Sequence, residues 1–250
     1  MSEAGVELPQ GIELAWGLRE RPGKGPRRSL TLDQVVAAGI RVADAEGLTA
    51  VSMSRVAGEL GLATMSLYRY VPTKQDLLGL MSDTAYGDPP APRGPDEQWR
   101  PALTRWAGEL VDRIRRRPWV RHVPIDGPPM GPRQVGWMEQ GLATLDGIGL
   151  RGIEPLSTIL LISQYARSHA ALTLDLVDAA TAAGTTPDEA GQRYWQQLEV
   201  VTRSGAYPQI RRLMTDLADA EETDADADWR FGLDRILDGI EALVSSRHPG

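Results

Sequence analysis

The stretch Ser52-Met53-Ser54-Arg55-Val56-Ala57-Gly58-Glu59-Leu60-Gly61, continued by Leu62-Ala63-Thr64-Met65-Ser66-Leu67-Tyr68-Arg69-Tyr70-Val71-Pro72, holds two short helical patterns around one glycine. Ser52 can cap the first, whose apolar stripe is Met53, Val56, Ala57 and Leu60. Gly61 makes the tight turn after it. The second pattern predicts a helix from Ala63 to Val71, because Pro72 cannot continue it. With Leu67 facing inward, helical geometry puts Ala63 and Val71 within about 40° of it and turns Met65 and Arg69 the opposite way. Ser66 and Tyr68 fall on the flanks, and Thr64 sits at the N-terminal end. An exposed face of arginine, hydroxyls and a methionine suits base edges: arginine reads guanine, hydroxyls reach bases or phosphates, methionine meets a thymine methyl. Spacing alone leaves two readings open, a helix-turn-helix that enters a major groove or a plain pair of antiparallel helices.

Working outward, Thr31 with Gln34 forms a capping box, and Leu32, Val35, Val36, Gly39, Ile40 and Ala43 give one buried face that ends at Gly47. Thr73 caps a fourth helix through Leu77, Leu78 and Met81. Upstream, residues 1–29 read as a poorly ordered tail broken by Pro22, Gly23, Gly25 and Pro26. Arg19, Arg21, Lys24, Arg27 and Arg28 cluster there. They are either a solvated tail or a basic arm along the DNA backbone or minor groove. Downstream, Tyr86–Pro95 carries four prolines and two glycines and marks a bend. Longer helices are predicted over about 96–117, 132–146, 153–183, 187–204, 207–220 and 228–246. No stretch alternates apolar and polar residues, so the chain reads as all-α. The domains expected are an arm over 1–29, a three-helix DNA-binding domain over 30–80, and a larger helical domain over 81–250.

Charge supports that division. The chain of 250 residues has a net charge of −7, unusual for a nucleic-acid binder. Residues 16–80 nevertheless carry +3, and residues 81–250 carry −7. A basic end on an acidic body is expected where one end meets phosphate. Hydrophobic content of 42% and charged content of 24% are those of a soluble globular protein. No apolar run is long enough to span a membrane, and no secretory signal is read at the N-terminus. The absence of cysteine removes disulfides, thiolate nucleophiles and cysteine zinc sites, and fits a reducing cytoplasm.

The run from Thr64 through Tyr70 and Pro72 to Lys74 and Leu78 strongly resembles the recognition helix and following helix of the tetracycline-repressor (TetR) family. So does Ala43-Asp44-Ala45-Glu46-Gly47-Leu48, followed by Ser52 to Gly61. The match covers about residues 30–80 and rests on a Leu67-Tyr68 pair, Tyr70 two residues on and Lys74 four after that. By that resemblance Thr64, Met65 and Ser66 hold base-contacting places. Tyr68, Tyr70 and Lys74 hold backbone-contacting ones, Ser54 marks the helix lying over the backbone, and the partner of Arg69 is left open. Pro118-Trp119-Val120 and the run Pro128 to Trp137 are similar, more weakly, to one C-terminal subfamily of the same type.

The resemblance implies a C-terminal domain that dimerises and binds a small effector, in a cytoplasmic regulator associated with the bacterial nucleoid. The sequence adds apolar residues on much of the helix over 153–183 and a second stripe over 228–246 from Phe231 to Leu243. Two such helices from each subunit would make a four-helix homodimer interface, matching a palindromic double-stranded operator. Trp106, Trp137, Met138, Tyr165, His169 and Trp195 lie in helices that would surround a pocket for a small hydrophobic or aromatic effector. Each taken singly reads more readily as core, and only the group as a whole favours a pocket. Beyond such an effector no cofactor is expected, and three histidines without ligand spacing argue against a metal.

Rival readings are a ligand-independent DNA-binding regulator, an activator, and an all-α enzyme. For the enzyme, Gly147-Ile148-Gly149-Leu150-Arg151-Gly152 has dinucleotide-loop spacing, but that fingerprint needs a preceding strand within a βαβ unit. It reads as a turn between helices. No serine-hydrolase or zinc-protease motif occurs, so the chain is read as a regulator and not an enzyme.

Overall fold

A computed structural model describes residues 7–18, 30–125, 127–218 and 226–247. The described residues form eleven α-helices and two 3₁₀ turns, with no strand among them, in agreement with the all-α reading. The helices are α1 (Gln10–Ala15), α2 (Leu32–Glu46), α3 (Met53–Glu59), α4 (Thr64–Leu67), α5 (Lys74–Tyr86), α6 (Trp99–Arg116), α7 (Pro132–Thr144), α8 (Glu154–Ala182), α9 (Pro187–Val201), α10 (Pro208–Ala218) and α11 (Ala227–Ser245). The chain divides into two compact units, one through Arg167 and one from Ser168 onward.

Local chemistry sets the boundaries of α2, α3 and α5. Thr31 and Gln34 exchange side-chain and backbone hydrogen bonds at the start of α2. Ser52 accepts from the Arg55 backbone N–H, and Thr73 accepts from that of Asp76. Each oxygen satisfies an amide donor that would otherwise lack an intrahelical partner. Val35, Val51, Val56, Ala57, Leu67, Val71, Leu77 and Met81 are all fully buried and form the core of the DNA-reading region. Gly39 lets α2 and α5 approach closely, since a Cβ there would stand 2.6 Å from Met81 Sδ.

Two expectations are corrected. Residues 1–29 do not read as structureless throughout, because Gln10–Ala15 form α1, which packs on α5. A six-residue helix shows no apolar period and is held by tertiary contact, so the pattern could not announce it. Trp16 Nε1 then donates to the carbonyl of Met130 at 2.7 Å. The basic cluster, Arg28 included, lies outside the described residues.

The helix expected over Ala63 to Val71 is also shorter. It is α-helical only over Thr64–Leu67, and Tyr68 to Tyr70 continue as a turn. A proline ring clashes with the carbonyl four residues earlier in a helix, which here is that of Tyr68. Tyr70 N–H accordingly bonds Leu67 O three residues back, at 2.9 Å. Ala63 is the N-cap with extended backbone and is exposed, so the helical projection that placed it inward does not hold for it.

The glycine motif at 147–152 is an irregular link between α7 and α8, with Gly147, Gly149 and Gly152 all at positive φ. No strand precedes it, so it cannot be a dinucleotide loop.

Candidate DNA-reading site

The reading face is built on a small rigid frame. The Leu62 N–H returns to Ala57 O at 2.9 Å across Gly61, whose φ of +67° favours glycine. That turn sets α4 against α3. Leu67 and Val71 are fully buried beneath it, as their spacing required. On the outer side Met65 is 76% exposed and Tyr68 is 42% exposed. Arg69 is exposed as well, and Thr64, Ser66 and Tyr70 are partly so. An apolar side chain as open as Met65 serves no core, so its place on this face asks for an external partner.

Beside this face lie the other sequence-predicted contacts. Ser54 is exposed in the first turn of α3, its hydroxyl 3.2 Å from that of the capping Ser52. Lys74 is exposed at the first position of α5. The structure therefore places Ser54, Thr64, Met65, Ser66, Tyr68, Arg69 and Tyr70 in the helix-turn-helix and Lys74 at the start of the next helix, each at least partly open to solvent.

A charge cluster sits behind it. Arg55 reaches Glu46 at 2.6 Å and Glu59 at 3.2 Å, and Arg41 reaches Glu59 at 3.3 Å. The hydrogen bonds from Arg41 and Arg55 hold the Glu59 carboxyl below its ordinary range, and those to Glu46 and Glu59 raise Arg55. Exposed pairs of this kind add little stability. Their effect is to neutralise two carboxylates that would repel a phosphate.

The residues proposed to face an effector divide between the two units. In the first unit Trp106 and Trp137 are almost fully buried, edge to face with ring centroids 5.8 Å apart. Trp106 Nε1 donates to Trp137 O, and Trp137 Nε1 donates to Gly87 O, both at 3.1 Å. Met138 and Tyr165 are half-buried in α7 and α8. In the second unit the His169 ring lies 5.4 Å from that of Trp229, and Trp195 is 40% exposed beside Tyr194. Among the described residues no group of His, Cys, Asp or Glu could hold a metal ion. Likewise, none of the described helices is long and apolar enough to cross a membrane.

One buried polar cluster escaped the sequence reading. Asp83 of α5 is buried, and its Oδ1 accepts the backbone N–H groups of Arg133 and Gln134 at 3.1 and 3.0 Å. Burial pushes its carboxyl above the usual range, against these hydrogen bonds and the Arg133 charge. Tyr86, one turn on, accepts from the Arg167 guanidinium. The available signal was an aspartate three residues from both Leu80 and Tyr86, which places it on an apolar face.

Comparison with known proteins agrees with this geometry. Residues 35–81 match the family described as bacterial regulatory proteins, tetR family. Residues 91–244 match the tetracyclin repressor-like C-terminal domain. The HTH-type transcriptional repressor DrrR1 of Streptomyces coeruleorubidus is 41% identical over 96% of this chain and 88% of its own length. An HTH-type transcriptional regulator of Saccharopolyspora erythraea is 27% identical over 90% of this chain and 88% of its own. Among solved structures, ActR of Streptomyces coelicolor in complex with actinorhodin aligns with a TM-score of 0.71 at 25% identity, covering 86% of this chain and 97% of that one. An exposed helix-turn-helix on an all-α body, matched over nearly its whole length, makes this chain a DNA-binding transcriptional regulator that belongs to the tetR family of bacterial regulatory proteins.

Proposed function

We propose that this regulator is a ligand-responsive repressor that binds a palindromic operator as a homodimer. The observation that carries the reading is the open face of Thr64, Met65, Ser66, Tyr68 and Arg69 over a fully buried Leu67 and Val71. Thr64, Met65 and Ser66 read base edges, with Arg69 able to add a guanine contact. Ser54, Tyr68, Tyr70 and Lys74 hold the phosphate backbone, and Arg28 adds charge alongside. Repression is supported by the 41% identity to a protein named as a repressor.

Dimerisation runs through α8 and α11. Leu156, Leu160, Leu161, Leu172 and Leu176 on α8 are all more than a third exposed, and Phe231 and Leu243 on α11 are likewise open. Large apolar side chains left open along a helix mark an interaction site. The effector is small and hydrophobic or aromatic; the similar ActR is found in complex with actinorhodin. Trp106 and Trp137 already spend their N–H groups on backbone carbonyls, so they offer such a ligand ring surface only. Met138, Tyr165, His169 and Trp195 are the other residues proposed to meet an effector. Binding shifts the dimer toward a separation of recognition helices that no longer fits grooves about 34 Å apart. The chain works in the cytoplasm, on the nucleoid, without cofactor or catalytic step.

The test begins by selecting bound duplexes from a random pool, which yields the operator. Gel shifts over operator variants then separate the roles. Tyr68→Ala and Lys74→Ala weaken binding to all sequences alike, and Lys74→Ala lowers the salt slope by about one. Thr64→Ala and Ser66→Ala change which base is preferred. A uniform loss at Thr64 and Ser66 overturns the assignment.

A further inference from the structure

Helix α7 begins with its own Gln134 Oε1 accepting the Gly131 N–H at 3.4 Å, but with no side-chain acceptor from its N-cap for the amides of the first turn. Its N-cap is Gly131 and its first residue is Pro132, so neither supplies an acceptor for the free amides of the first turn. The acceptor comes from another helix. Asp83, in the last turn of α5, sends a buried carboxylate to the N–H groups of Arg133 and Gln134. Arg133 adds its guanidinium at 3.8 Å from Asp83 Oδ2, and a second contact of 3.8 Å to Asp88. One helical turn on, Trp137 Nε1 binds the carbonyl of Gly87. Three consecutive points thus fasten α7 to the stretch 83–88.

Gly131 belongs to the same device. Its φ is an ordinary −68°, so no backbone strain calls for glycine there. Space does. A Cβ would stand 2.9 Å from Asp83 Cβ and closer still to the carboxyl group. A buried aspartate and a glycine that makes room for it form one matched pair.

The position of this fastening gives it a purpose. The N-terminal half of α5 packs on α2 through Leu77 and Met81, and α5 follows the reading turn directly after Pro72 and Thr73. Its C-terminal half is held by α7, which packs in turn on α6 and on Ile159 of α8. At 13 residues α5 is about 20 Å long, a single rod joined to the reading domain at one end and to the body at the other. We infer that Asp83 is a positioning residue for operator recognition: its carboxylate, seated on the start of α7 opposite Gly131, fixes the angle of the reading domain and thereby the half-site spacing that the dimer accepts. The inference rests on the dimeric reading above.

The experiment uses the full chain and the selected operator, with its two half-sites moved apart or together by single base pairs. Circular dichroism first establishes that each variant is folded. The unaltered chain shows one preferred spacing. Asp83→Ala leaves base preference within each half-site unchanged but narrows the ratio between best and next-best spacing by at least about threefold, beyond the scatter of independent effects. Asp83→Asn keeps an acceptor oxygen and retains the preference. Gly131→Ala narrows it as Asp83→Ala does, and adds less in the Asp83→Ala background, where two of the three overlapping atoms are gone. A folded Asp83→Ala chain with an unchanged spacing profile overturns the inference and leaves the dimeric reading intact. If Asp83→Ala fails to fold, Gly131→Ala decides in the same way. An unaltered chain with no preferred spacing overturns the dimeric reading, and this inference with it.

Discussion

The two compact units dispose of their apolar side chains in opposite ways. Up to Arg167, α2, α3, α5 and α6 each bury several residues and α4 buries Leu67, from Val35 through Met81 to Leu103 and Ile114. From Ser168 onward the buried apolar set among the described residues is Ala170, Ala180, Trp229, Leu233, Leu237 and Ile240. Against it stand Leu172, Leu176, Tyr194, Trp195, Val200, Val201 and Phe231, all at least 40% exposed. Helix α9 has no buried residue at all. Burial of large apolar side chains is the main favourable term in folding, so the first unit carries most of its stability within one protomer. The second has surface left to give to something else.

The strongest way to break this contrast is one substitution on each side. Leu67→Ala empties a fully buried site and should cost about 2–5 kcal/mol in denaturant unfolding, independent of protein concentration. Leu176→Glu lies on an exposed position of α8 and should leave the first unit's core untouched while shifting sedimentation from dimer to monomer. If Leu176→Glu instead destabilises the monomer with no change in mass, the exposed surface is not an interface.

A smaller effect compares two tryptophans. Trp137→Phe keeps a ring but removes the N–H that satisfies Gly87 O, at a cost of about 1–3 kcal/mol for a buried polar group left unpaired. Trp195→Phe, at 40% exposure, should fall within about 0.5 kcal/mol. Thermal unfolding of both variants reads the difference.

The smallest effect is in pH dependence, where two carboxylates of the first unit act with opposite sign. The carboxyl of Asp83 is raised by burial, so the folded chain binds its proton more tightly than the unfolded chain, and this group loses favour as pH rises above its ordinary value of 3.8. The carboxyl of Glu59 is lowered, first by Arg41, so its contribution is present above the ordinary value of 4.5 and is lost as pH falls through its folded value. Asp83→Asn should steepen the acid loss of stability, and Glu59→Gln should flatten it slightly. Urea unfolding across the acid range measures both slopes.

Much of this architecture was legible because its signals are local. Thr31 with Gln34, Ser52 and Thr73 are caps whose chemistry lies within three residues, and each starts the helix expected of it. Pro132 and Pro187 likewise open the helices read from them. The reading face followed from the position of Leu67 alone. What sequence spacing could not supply were contacts between distant residues. Asp83 meets Gln134 across 51 positions, and Trp119 Nε1 donates to Asp44 across 75. Neither partner carries a local pattern that names the other. The shortened α4 is a different kind of miss. Pro72 was correctly taken as a stop, but its ring acts back on Tyr68, four residues earlier, and so unwinds the end of the helix rather than cutting it at Val71.

The close approach at Gly39 has an evolutionary consequence. The contact between α2 and α5 leaves room for no additional methyl group, and the atom that would meet it is the sulfur of Met81. Methionine is the most yielding of the large apolar side chains, so this pair has one stiff member and one pliable member. A lineage that acquires alanine at 39 must shorten or redirect residue 81, and one that branches residue 81 at Cβ must keep glycine at 39. The two positions are thus coupled, and the crossing that supports the reading helix constrains its descendants at a site that touches no DNA.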